Sequence, residues 1–153
     1  AITLLRGHFP DLKIRMINVV DIFTLIPHDR HPHGFDTETF EADFTRDKPV
    51  IFAFHGHPRV IHELTYKRAN PHRFHVRGYI EEGTTTTPFD MVVCNQMSRY
   101  HLAMEAIHRV PRLQSQGGDF IEHCKQILSR HKTYIYEHGE DLPEVLEWTW
   151  KRP

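Results

Sequence analysis

FHVRGYIEEGTTTTPFD, residues 74–90, is the stretch whose reading decides the fold. Phe74, Val76, Gly78 and Ile80 alternate with His75, Arg77, Tyr79 and Glu81, the period-two pattern of a strand with one apolar face. Glu82-Gly83 stops that strand, and four threonines follow. Thr87 suits a helix N-cap and Pro88 the first helical position, while Asp90 falls in the first turn, where negative charge is favoured. A helical pattern then runs to about Val110. Its stripe is Phe89, Val93, Met97, Tyr100, Met104 and Ile107, in steps of three and four, before Pro111 ends it. Strand, polar loop, helix is the building unit of an α/β sheet. The loop lies at the carboxyl end of its strand, where such sheets bind ligands.

Upstream, PVIFAF (residues 49–54) is an uninterrupted apolar run between Pro49 and Gly56, the signature of a strand buried on both faces. HGHPR follows, and then Val60, Ile61 and Leu64 at helical spacing. In a parallel sheet HGHPR and GTTTT emerge on one edge. His55, His57, Arg59, Thr84, Thr85, Thr86 and Thr87 are therefore the candidate anion-binding residues, beside the free amides of a helix start. The alternative is that helix-start chemistry explains them: Gly56 turns, Pro58 and Thr87 begin helices, and the remaining threonines face a partner chain.

Residues 13–20, KIRMINVV, read as a third strand, running on towards Leu25. Asp36 or Thr37 caps a short helix with Phe40 and Phe44 inward, and Ile2, Leu5 and Phe9 mark an uncapped helix at the start. Asp119 caps a long helix whose stripe is Phe120, Cys124, Ile127, Leu128, His131 and Ile135, with Gly139 beyond its end. In the tail, Asp141 is a plausible cap. Trp148 and Trp150 are too apolar to leave in water and are expected to dock on the domain or on a second copy. The expected architecture is one α/β domain over residues 1–153, with residues 13–20 between the other two strands and helices on both faces.

Composition narrows the function. The chain of 153 residues is 39% hydrophobic and 25% charged with a net charge of −1, which gives no case for a nucleic-acid or membrane surface. Two cysteines in helical patterns, Cys94 and Cys124, read as free thiols. Fourteen histidines are unusual, but they are spread over loops without the fixed spacing or acidic companions of a metal site. No glycine-rich nucleotide fingerprint, serine elbow or paired carboxylates stand out.

The strings GYIEEGTTTTPFDMVVCNQMSRYHLAMEAIHRVP, PVIFAFHGHPRVIHELTYKR and YEHGEDLPEVLEWTW resemble the C-terminal end of phosphoketolases, and the likeness covers nearly the whole chain. The resemblance implies a three-layer αβα sandwich like the transketolase C-terminal domain, with a mixed, mostly parallel sheet, here lacking its first strand. It implies an enzyme that cleaves xylulose 5-phosphate or fructose 6-phosphate with inorganic phosphate to acetyl phosphate and an aldose phosphate. Thiamine diphosphate and Mg would sit in upstream domains of a cytoplasmic homodimer or higher homo-oligomer. None of the family's catalytic or cofactor roles falls on a residue of this chain, which is therefore expected to be an assembly domain, inactive alone and without bound cofactor. The alternative is a free-standing domain that binds a phosphorylated metabolite at the HGHPR and GTTTT loops.

Overall fold

The computed structural model describes residues 1–80 and 85–149. The chain is α/β, with one small parallel sheet among helices, compatible with an αβα C-terminal domain. It forms two compact units, residues 2–80 and residues 81–153 with residue 1.

The first unit contains α1 (Ile2–His8), α2 (Thr37–Phe44), β1 (Val50–Phe54), α3 (Pro58–Thr65) and β2 (Phe74–Gly78). Asp36 starts α2 as expected, its carboxylate accepting from the Thr39 amide at 2.7 Å. β1 and β2 pair in parallel, with Val50 opposite Phe74 and Phe54 opposite Gly78. Gly78 has to be glycine: a Cβ there would lie 2.2 Å from the Gly56 carbonyl oxygen. That carbonyl accepts the Tyr79 amide at 2.9 Å, so the chain leaving β2 is stitched to the loop leaving β1.

The core of this unit is Leu25, Phe40, Phe44, Ile61 and Phe74, with Val50, Phe52, Phe54, Leu64 and Val76 packed against it. The expectation that β1 is buried on both faces is corrected. Val50, Phe52 and Phe54 pack on the core, Ile51 is half-buried and Ala53 is exposed. An apolar run thus satisfies a strand that commits only alternate residues to this core. Ile80, expected on the apolar face of β2, is exposed beyond the strand's end.

The strand expected over residues 13–20 is also corrected. Among the described residues the sheet has two strands, and residues 13–20 join neither. Ile17 and Val19 pack on the core, while Met16 and Val20 face outward. Arg15 ties the segment down by donating to the carbonyls of Ala42 and Asp43, the latter at 2.8 Å. Side chains therefore anchor this stretch without a backbone ladder. β-propensity records how a residue packs, and packing is available here without pairing. The segment then enters a 3-10 helix at Ile22–Leu25, capped by Asp21, rather than continuing extended.

The second unit contains α4 (Pro88–Cys94), α5 (Arg99–Arg109), α6 (Pro111–Gln114), α7 (Gly118–His138) and α8 (Pro143–Leu146). The single long helix expected from Pro88 is two. Gln96 takes a left-handed conformation with φ of 55°, and Ser98 caps α5 by accepting from the His101 amide. The break resets the helical phase, so Tyr100, Ala103, Ala106 and Ile107 form the buried face of α5. α7 buries Phe120, Cys124 and His131, and Gly139 ends it with φ of 68°, as its position in the sequence predicts. Asp119 sits in the first turn of α7 rather than capping it. No described helix is long and apolar enough to cross a membrane.

Candidate functional site

The two loops singled out by sequence fall in different units. In the first, His57 caps α3, its Nδ1 accepting the Arg59 amide at 3.2 Å, and Pro58 opens the helix. His55 stands edge-on to Tyr79 with ring centroids 4.9 Å apart. Both histidines and Arg59 lie exposed beyond the carboxyl end of β1. In the second unit, Thr84 lies outside the described residues and Thr85 is exposed. Thr86 and Thr87 have specific partners.

Those partners make a joint that the sequence pattern did not announce. Thr87 accepts the Asp90 amide at 3.1 Å, as an N-cap does, and donates its own hydroxyl to Asp141 Oδ1 at 2.6 Å. Thr86 donates to Asp90 Oδ2 at 2.7 Å. The other oxygen of Asp90 lies 3.1 Å from His131 Nε2, and Asp141 Oδ1 is 4.0 Å from the same nitrogen. His131 is only 1% exposed, and the Phe89 ring meets it edge-on at 5.2 Å. The start of α4, the middle of α7 and the turn before α8 are thereby tied together around one imidazole.

This geometry is that of a joint. Nucleophilic catalysis wants a hydroxyl bonded to its base. Here the hydroxyls and the imidazole all bond to carboxylates instead. His131 reads in the sequence as one member of an apolar stripe, and Asp141 as a cap for the last helix. That helix is preceded by Leu142 and has no side-chain cap, because Asp141 is spent on Thr87. A histidine within an apolar stripe, opposite an aspartate in another helix's first turn, was the available signal. The thiols are quiet. Cys94 is pushed up first by burial and then by Asp90, and Cys124 by burial. Trp148, expected to dock, is 55% exposed in this chain, with the Arg99 guanidinium 5.9 Å from its ring; Trp150 lies outside the described residues.

The first unit buries arginines instead. Arg68 donates to the carbonyls of Thr24, Leu25, Ile26 and Phe35 at 2.6–3.1 Å, and its guanidinium stacks 4.0 Å from the Phe40 ring. Arg73 donates to Phe44, Thr45 and Lys48 at 2.7–2.9 Å. The carbonyls of Phe44 and Thr45 are orphans at the end of α2, where a cation also complements the helix dipole, and that of Lys48 lies in the loop beyond.

Comparison with known proteins decides what this domain belongs to. The sequence profile of the XFP C-terminal domain matches residues 1–150. A probable phosphoketolase of Bradyrhizobium diazoefficiens is 56% identical over 98% of the chain. Probable phosphoketolases of a Nostoc species and of Rhodopseudomonas palustris are 54% and 57% identical over the same share. The chain belongs to the phosphoketolase C-terminal domain family. It spans 19% of the length of these relatives. Within this phosphoketolase domain no three His, Cys, Asp or Glu side chains converge on a metal position among the described residues. The carboxylates beside His131, Asp90 and Asp141, are engaged by the two threonines.

Proposed function

We propose that this chain is the C-terminal assembly domain of a thiamine-diphosphate-dependent phosphoketolase, catalytically silent by itself. The enzyme as a whole would cleave xylulose 5-phosphate or fructose 6-phosphate with inorganic phosphate, releasing acetyl phosphate and an aldose phosphate. Thiamine diphosphate, with magnesium, supplies the carbon nucleophile for that reaction, and both are assigned to upstream domains. The reading includes a cytoplasmic homodimer or higher homo-oligomer to which this domain contributes contact surface. It rests on one observation: identities of 52–57% to proteins named phosphoketolase across nearly all of this chain. The internal bonding at this joint agrees, since Thr86, Thr87, Asp90, His131 and Asp141 hold helices together and both threonine hydroxyls are donated to carboxylates.

A chimera tests it. The corresponding segment of the Bradyrhizobium diazoefficiens relative is replaced by this chain, and acetyl phosphate is measured with either ketose phosphate. Turnover is expected from the chimera, and none from this chain alone or from the relative with the segment deleted. Acetyl phosphate from the chain alone would overturn the silent-domain reading. An equally active deletion would overturn the assembly role.

A further inference from the structure

The first unit carries a cleft of about 480 Å³ lined by five cationic side chains: Arg30, Arg46, Lys67, Arg68 and Arg73. Only two carboxylates, Asp29 and Glu41, line it with them. The chain's net charge is −1, so this is a local gathering of cations. Both carboxylates already face an arginine, Asp29 with Arg30 at 3.8 Å and Glu41 with Arg46 at 3.3 Å. Among the described residues Lys67, Arg68 and Arg73 make no ion pair. Arg68 and Arg73 are 7% and 6% exposed; backbone carbonyls take Nε and Nη2 of Arg68 and both Nη groups of Arg73, while Arg73 Nε is buried without a hydrogen-bond partner among the described residues. Carbonyls satisfy hydrogen bonds without cancelling charge. Asp29 and Asp36 act on Arg68, and Asp47 and Glu41 on Arg73, so the two guanidinium groups contribute a fixed positive field that is offset in part, and a site whose field is set in advance loses little ordering entropy on binding.

The lining also suits a particular shape of ligand. Pro27, Arg30 and Lys67 are shared with an adjoining, mostly apolar trough formed by Ile26, Val60, Leu64 and Tyr66, with Glu63 its one carboxylate. Lys67 holds its ammonium 5.0 Å from the Tyr66 ring, at the boundary between the two. Arg46 is exposed, and its pairing with Glu41 is the kind of surface contact that an incoming anion displaces at small cost.

We propose that this cleft binds a small phosphate ester, with its phosphate among Lys67, Arg46 and Arg30 and its organic body on the Tyr66 side. Arg68 and Arg73 act on it through their field, not as direct ligands. The site is separate from the HGHPR and GTTTT loops and does not depend on the phosphoketolase reading.

Titration of this chain with inorganic phosphate and with phenyl phosphate, by calorimetry and by amide and side-chain NMR shifts, tests the proposal. Saturable binding of phenyl phosphate, tighter than inorganic phosphate and weakened by added salt, is expected. Its shifts should map to Lys67, Tyr66 and Arg46. The double variant Lys67→Gln/Arg46→Gln, at two surface positions that anchor no carbonyl, should keep the parent's circular dichroism and lose at least about tenfold in affinity. Absence of saturable binding would overturn the proposal. So would a folded double variant of unchanged affinity, or shifts confined to His57 or Thr85–Thr87.

Discussion

Residues 2–80 bury two arginines, and residues 85–149 bury a histidine beside two aspartates. Both arrangements bond polar groups away from water, with Arg73 Nε and His131 Nδ1 left without a partner among the described residues, yet they draw on different acceptors. Arg68 and Arg73 bond to seven backbone carbonyls, groups that are present at every pH. His131, Thr86 and Thr87 bond to carboxylates, so their partners carry charge and can lose it. The first scheme fixes backbone where regular pairing is scarce. The second clamps helices that already satisfy their own backbone. An element short of ladder bonds needs a multidentate donor, whereas preformed helices need only a few side-chain contacts to set their mutual packing.

The sharpest way to break the comparison is at Arg68. Arg68→Ala strands the Leu25 and Ile26 carbonyls, takes one of two donors from those of Thr24 and Phe35, and removes the cation from Phe40. A loss of about 3–5 kcal/mol is expected, because unpaired buried acceptors carry their full desolvation cost. Arg68→Lys should recover less than half, since an ammonium cannot reproduce the planar fork. Urea denaturation followed by circular dichroism measures both. A loss below about 1 kcal/mol for Arg68→Ala would remove the arginine from its anchoring role.

His131→Leu comes next, with an expected loss of about 1.5–3 kcal/mol, the range for hydrogen bonds to charged groups. A double-mutant cycle with Asp90→Asn should show the two effects to be strongly non-additive, as groups in one network are. Tryptophan fluorescence suits this measurement, because Trp148 belongs to the second unit. Additive losses would mean that the 3.1 Å contact carries no energy of its own.

Thr87→Val keeps the shape and removes both bonds, to the Asp90 amide and to Asp141. About 1–2 kcal/mol should be lost, and Thr87→Ser should restore most of it, serine being an equally good cap. A serine variant no better than valine would place the loss in the methyl group's packing.

The smallest effect concerns acid. In the first unit Asp36 is held below its ordinary value of 3.8 mainly by the Thr39 amide, and Asp21 mainly by the Phe23 amide and then by His33. A carboxylate depressed in the folded state adds stability above its unfolded value, and that stability fades as pH falls through the folded value. Asp36→Asn keeps a competent cap and drops the titrating group. Near neutrality its denaturation midpoint should therefore lie slightly below the parent's, and below about pH 4 it should fall less steeply, so that the two converge in acid. Identical acid slopes would show that the Asp36 cap contributes nothing to acid sensitivity.

How much was legible follows from the range of each signal. Asp36, Thr87, Pro58, Pro88 and Gly139 announced helix ends correctly, because capping involves neighbours three or four residues apart. Residues 13–20 misled because alternation of β-branched side chains records a pleated, half-buried path, and a strand partner is a separate requirement. The break at Gln96 was hidden because apolar spacing across it still steps by threes and fours. The Ser98 cap that restarts the helix looks like an ordinary helical serine until its bond to the His101 amide is seen.

By itself, the sequence determined the two real strands, most helix ends, the α/β class and, through its long unusual strings, the family. All of these rest on neighbours along the chain or on the order of residues itself. Only the tertiary structure decided that residues 13–20 stay unpaired, that Arg68 and Arg73 hold carbonyls 25–44 positions away, and that Thr87 and His131 meet Asp141 and Asp90. Those choices depend on which donors and acceptors fold brings within about 3 Å, a distance that no spacing along the chain encodes.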